Sequence, residues 1–200
     1  MRISTDLIKK LREETGAGII DCREALTECK GNLKLARDYL RKKGLEKLAK
    51  KRSRVAKEGL IDAYIHANGK IGVLIEVNCE TDFVARNEVF RDFVHDLALQ
   101  VAASNPLYIK PEDVPEEVLE KEKEFYRVQA VNEGKPEKVI EKIVEGKLKK
   151  FYEETCLLEQ SFIKNPEIKI KDYLGEVAGK LGENIVIRRF VRYVLGEGFD

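Results

Sequence analysis

The chain has 200 residues, of which 43% are hydrophobic and 36% charged, and its 37 Lys/Arg against 36 Asp/Glu leave a formal net charge of +1. That length supports one or two ordinary domains with a core of their own, so neither disulfide staples nor a structural metal is required. No run approaches the roughly 20 apolar residues of a membrane span, and Met1-Arg2-Ile3-Ser4-Thr5-Asp6 enters an amphipathic pattern without an apolar leader, so a soluble, cytoplasmic protein away from membranes is expected.

In chain order, Leu7, Ile8 and Leu11 share one face of a first helix, with Ser4 or Thr5 as its N-cap. Gly16-Ala17-Gly18 breaks it. A second helix carries Ile19, Ile20, Cys22, Ala25, Leu26 and Cys29 and stops at Gly31, and Asn32 caps a third that Gly44 is expected to end. These three short helices make a small bundle over residues 1–44. Residues 45–58 form a basic connector, and residues 59–200 a core domain.

Within the core, Gly59–His66 and Ile71–Val77 are β-branched runs around Ala67-Asn68-Gly69-Lys70, a strong hairpin signal. Val89, Phe90, Phe93, Val94, Leu97, Ala98, Val101 and Ala102 mark a helix. Two charged helices follow, one opened by Pro115 and one after Pro136. A short helix bears Tyr173, Leu174, Val177, Ala178 and Leu181, and Ile185–Leu195 is the last strand. The expected fold is α+β: the helical bundle, then a three-stranded antiparallel sheet with helices packed on one face. Apolar residues stand at both parities of the strands, Ile61 and Ile65 beside Leu60 and Tyr64. A sheet with one wet face should alternate, so its second face is expected to be covered, by a twin or a partner.

Chemistry-bearing patterns are few. Cys22, Cys29, Cys79 and Cys156 form no C-x-x-C pair, and only His66 and His95 are present, so free buried thiols are expected, with no metal site, cofactor or catalytic residue. Gly175-Glu176-Val177-Ala178-Gly179-Lys180 has three residues between its glycines and Leu181 where a phosphate loop needs Ser or Thr. Charge is uneven: residues 1–58 hold 17 Lys/Arg against 9 Asp/Glu, the remainder 20 against 27. A basic head on an acidic body points to an acidic partner surface or nucleic acid, or else to a solvated linker. The connector has no interleaved aromatics for stacking bases, which argues against direct nucleic-acid binding. Heavy Lys/Glu use with only three glutamines is a composition seen in thermophile proteins.

The corner Thr81-Asp82-Phe83-Val84-Ala85-Arg86 lies where a strand stops and a helix begins, and it has two readings. Either Phe83 is an exposed anchor held by rigid elements on both sides, or it folds back as the first core residue of the next helix with Asp82 as its cap.

Two segments carry a resemblance. Thr15-Gly16-Ala17-Gly18-Ile19-Ile20-Asp21-Cys22-Arg23-Glu24-Ala25-Leu26 closely resembles the N-terminal signature of bacterial elongation factor Ts. Glu76-Val77-Asn78-Cys79-Glu80-Thr81-Asp82-Phe83-Val84-Ala85-Arg86 resembles its second signature, in the same order and spacing. Cys156-Leu157-Leu158-Glu159-Gln160 and Gly196-Glu197-Gly198 are similar to the family's C-terminal part. The resemblance implies a guanine-nucleotide exchange factor for elongation factor Tu, met both GDP-bound and nucleotide-free, with no covalent chemistry of its own. It implies that the first three helices are a ubiquitin-associated-like domain docking through Arg12, Ile19, Ile20 and Arg23, with Lys51 in the connector. It also implies that Thr81, Asp82, Phe83 and Val84 disturb the partner's Mg²⁺ and phosphate site. Where relatives often carry Met, positions 19 and 20 are Ile here. The chain lacks the long coiled-coil insertion of larger members, and the short form dimerises, in agreement with the two-sided apolar sheet.

Overall fold

The computed structural model describes residues 3–51, with 45–51 as backbone only, and 54–198. Its elements are α1 (Thr5–Thr15), α2 (Ile19–Glu28), α3 (Leu33–Lys51), β1 (Glu58–His66), β2 (Ile71–Cys79), α4 (Asp82–Ala85), α5 (Glu88–Ser104), α6 (Glu116–Asn132), α7 (Glu137–Thr155), β3 (Ser161–Phe162), β4 (Asn165–Lys169), α8 (Ile170–Leu181) and β5 (Val186–Val194). They form two compact units. The first comprises residues 1–63, 74–98 and 172–190, and the second residues 64–73, 99–171 and 191–200.

The first unit opens with the expected bundle. Ser4 caps α1 by accepting from the Asp6 amide at 3.1 Å, Gly16 closes it in the left-handed region at φ 65°, and Asn32 Oδ1 accepts from the Leu35 amide at the start of α3. Leu11, Cys22, Ala25, Leu26 and Ala36 form its buried core, ringed by Leu7, Ile8, Leu33, Tyr39 and Leu40. One expectation fails: α3 does not stop at Gly44 but runs through it to Lys51. A methyl group built at Gly44 would lie 3.6 Å from the Gly175 carbonyl oxygen, and one at Gly179 would lie 3.8 Å from Gly44 Cα. Glycine here serves a close helix crossing between α3 and α8. Its cost in a helix, about 1 kcal/mol, is small enough for packing to override. Arg41 pairs with Asp172 across the same crossing. Gly175 and Gly179 thus sit inside a helix, with no loop to cradle phosphate.

The sheet order is β1-β2-β5, and its strands are antiparallel. The β1–β2 turn places Ala67, Asn68 and Gly69 in succession at positive φ (51°, 57° and 87°). On β2, Val73, Ile75, Val77 and Cys79 are buried on one face. Helix α5 lies over that face. In the first unit His95 Nδ1 meets Asp62 on β1 at 2.9 Å, and in the second Arg192 Nε on β5 donates to the Ala102 carbonyl. Phe93 packs edge-on against Tyr173 of α8, with centroids 5.0 Å apart, and the Tyr173 hydroxyl donates to Asp96.

Apolar residues at both parities have two causes. On β5, burial falls on Ile185 and Ile187 but then on Phe190, Arg192 and Val194, so the inward parity shifts by one along the strand, as at a bulge. On β1 and β2 the outward residues are truly apolar: Ile61 is 63%, Ile65 65% and Leu74 48% exposed.

In the second unit α6 and α7 pair around Ala130, Ile140 and Val144. The stretch between α7 and α8 holds the β3–β4 ladder, with Ser161 opposite Lys169 and Phe162 opposite Asn165. A buried amide pair organises it. Gln100 Nε2 donates to Gln160 Oε1 at 3.1 Å, Gln100 Oε1 accepts from the Ile163 amide, and Gln160 Nε2 donates to the Glu154 carbonyl.

Gly146 lies mid-way along α7, and a methyl group there would meet nothing within 4 Å. Gly146→Ala is therefore expected to stabilise the protein by about 0.8–1 kcal/mol, read as a rise of roughly 2–4 °C in melting temperature.

Candidate functional site

The corner after β2 is built from two caps in series. Thr81 is extended (φ −128°, ψ 154°) and caps the four-residue helix α4, its hydroxyl accepting from the Val84 amide. Arg86 ends that helix, and Asn87 Oδ1 accepts from the Val89 amide at 2.9 Å to open α5. Asp82 is therefore not the cap. It stands in the first turn, pairing with Arg86 at 3.1 Å, and so exposed an ion pair contributes about 0–1 kcal/mol. Phe83 is 82% exposed, so the reading of it as a core residue is overturned. Leaving a phenylalanine in water forgoes about 1.5–3 kcal/mol of burial.

What holds the corner was not singled out in the sequence. Glu183, in the turn between α8 and β5, accepts from the Glu80 amide at 3.0 Å and the Thr81 amide at 3.1 Å. Its other oxygen accepts from the Thr81 hydroxyl at 2.6 Å. The exchange is reciprocal, because Glu80 Oε1 accepts from the Asn184 amide at 2.6 Å. Asn184, 2% exposed, in turn donates to the Arg54 carbonyl. Hydrogen bonds to a carboxylate are worth about 1.5–3 kcal/mol each. The only sequence signal was an acidic residue beside Asn in a turn, separated from the corner by about 100 residues.

Arg12, Ile19, Ile20 and Arg23 are all exposed. Ile19 and Ile20, 56% and 74% exposed, lie at the start of α2 with Arg23 one turn on, forming an outward face instead of joining the bundle core. Lys51 is the last residue of α3, and its side chain lies outside the described residues. Bundle residues and corner residues stand on separate elements of the first unit. A cleft of about 450 Å³ lies between the bundle and α8. Its charges are largely paired, Arg37 with Glu14 and Lys43 with Asp21 and Glu24, which leaves little bias toward a ligand of either sign.

Among the described residues no group of three or more His, Cys, Asp or Glu is placed to hold a metal, and no helix is long and apolar enough to cross a membrane. All four cysteines are free, three of them buried. Burial, reinforced by the nearby Glu183 carboxylate, pushes the Cys79 thiol up to about 11, and burial raises Cys22 and Cys156 as well. Since the thiolate is the reactive form, these three are expected to resist iodoacetamide at pH 8 in the native state. Partly exposed Cys29 should alkylate first, as read by mass spectrometry before and after denaturation.

A family model described as Elongation factor TS matches residues 5–197. The chain is similar to proteins named Elongation factor Ts from Moorella thermoacetica, 64% identical over 96% of this chain and 94% of the relative, and from Caldanaerobacter subterraneus, 61% identical over 99% of each. Another so named, from Thermoanaerobacter pseudethanolicus, is 59% identical over 99% of this chain and 97% of the relative.

Proposed function

The chain belongs to the elongation factor Ts family and is a translation elongation factor, and from that premise we propose that it releases GDP from elongation factor Tu as an exchange factor without covalent chemistry of its own. Phe83 is the observation that carries this reading: a large aromatic, 82% exposed, on a corner fixed by caps on both sides. Such a side chain is poised to fill a partner's pocket at little entropic cost. Phe83 pushes between helices of the GTPase beside its Mg²⁺, while Asp82 alters polar contacts near the ion and Thr81 and Val84 frame the insertion. Mg²⁺ neutralises phosphate charge and tolerates little distortion of its octahedral shell, so disturbing it weakens the nucleotide.

Exchange is differential binding. A nucleotide held at nanomolar affinity is bound by about 12 kcal/mol. Loosening it a thousandfold takes about 4 kcal/mol of coupling, and by linkage the nucleotide weakens the factor equally. Residues 1–44 act as a ubiquitin-associated-like docking domain through Arg12, Ile19, Ile20 and Arg23, with Lys51 contributing from the end of α3, and residues 59–200 hold the corner. The setting is the cytoplasm, and no nucleic acid is required.

The same reading makes the protein a homodimer through its outward sheet residues. Ile61 and Leu74 in the first unit and Ile65 and Tyr193 in the second are 48–69% exposed. Covering apolar area yields about 25 cal/mol per Å², and one self-complementary patch serves both copies.

Phe83→Ala is expected to slow release of labelled GDP from elongation factor Tu about tenfold or more, equal to about 1.4 kcal/mol, with an unchanged circular dichroism spectrum. Wild-type release would refute the wedge. Sedimentation equilibrium at micromolar concentration should give twice the 22.9 kDa chain mass with reductant present; a single-chain mass throughout that range would refute the dimer.

A further inference from the structure

We infer that Glu183 is a positioning residue for nucleotide release, acting through the Thr81 cap on the aim of Phe83; this rests on the wedge role proposed above. Three donors of the corner converge on its carboxylate: the Glu80 and Thr81 amides on one oxygen and the Thr81 hydroxyl, at 2.6 Å, on the other. The Thr81 hydroxyl has one proton, and spending it on Glu183 turns its lone pairs toward the Val84 amide, which it caps. The chain of contacts therefore runs from Glu183 through Thr81 to the first turn of α4, where Phe83 projects. Asp82 and Arg86 brace that turn only by an exposed pair, too weak to fix a four-residue helix alone. The turn bearing Glu183 is itself anchored, with the Asn184 amide on Glu80 and its side chain on the Arg54 carbonyl. The carboxylate is thus delivered from a fixed point 100 residues away in sequence. Glu183 touches neither nucleotide nor metal in this scheme; it reduces the number of directions in which Phe83 can point, so that a larger share of docked complexes holds the wedge in its inserting geometry.

The test compares Glu183→Ala, Glu183→Gln, Phe83→Ala and the double variant Glu183→Ala/Phe83→Ala in release of labelled GDP from elongation factor Tu, as a function of factor concentration. Glu183→Ala is expected to lower the maximal release rate about fivefold or more while the half-saturating concentration stays within about twofold, because docking lies elsewhere. Glu183→Gln keeps one acceptor oxygen for the two amides and should fall between wild type and Glu183→Ala. In the Phe83→Ala background the Glu183 substitution should cost almost nothing, since no wedge remains to aim. Exchange of the Thr81 and Val84 amide hydrogens should accelerate in Glu183→Ala with the α5 amides unaffected. An unchanged maximal rate in Glu183→Ala overturns the inference, as does an equal fold loss with and without Phe83. Should Glu183→Ala fail to fold, Glu183→Gln is read by the same two criteria in both backgrounds. Wild-type release by Phe83→Ala strikes the wedge reading itself, whatever Glu183 does.

Discussion

Two loops far apart in sequence hold each other by their backbones: Glu183 accepts from the amides of residues 80 and 81, and Glu80 accepts from the amide of residue 184. Each carboxylate satisfies donors that neither sheet nor helix can reach, since both loops lie just beyond the ends of regular elements. The exchange joins the exit of the central strand to the entry of the last one. It also sets where α4 begins, and with that the direction of Phe83. A corner held only by local caps would leave an exposed aromatic free to fold back onto apolar surface, which burial favours by about 1.5–3 kcal/mol.

Around this joint the first unit combines a small bundle with a helix-covered sheet. The bundle keeps Ile19 and Ile20 outside because its core is already filled by Leu11, Cys22, Ala25, Leu26 and Ala36, all fully buried. The glycines of α3 and α8 bring two helices close enough for Arg41 to reach Asp172. In both places a residue that looks like a core residue or a helix stop does something else, since the neighbouring element changes which property of it counts.

The sheet leaves apolar side chains outward on β1 and β2 while α5 covers the other side. Ile61 and Ile65 stay exposed to water, and these are the residues on which the proposed dimer rests. The Glu76–Arg189 pair at 2.7 Å, which ties β5 to β2, sits among strands otherwise rich in outward hydrophobics.

Periodicity, glycine punctuation and the Asn68-Gly69 turn were enough to read the longer helices and the three strands of the main sheet, because these signals are local and each reports the chain's own backbone. The signature segments likewise showed the family and the candidate corner. Three features were beyond local reading. The continuation of α3 through Gly44 depends on α8 lying against it, which no propensity encodes. The β3–β4 ladder depends on Gln100 and Gln160, buried amides whose partners sit about 60 residues away. Whether Phe83 is core or exposed, and Thr81 or Asp82 the cap, depended on Glu183, whose hydrogen bonds with the corner close a loop of about 100 residues. Sequence by itself determined the longer elements and their kinship; which side chains face outward, and what holds them there, only the tertiary structure decided, because hydrogen bonds and packing between distant segments leave no periodic trace along the chain.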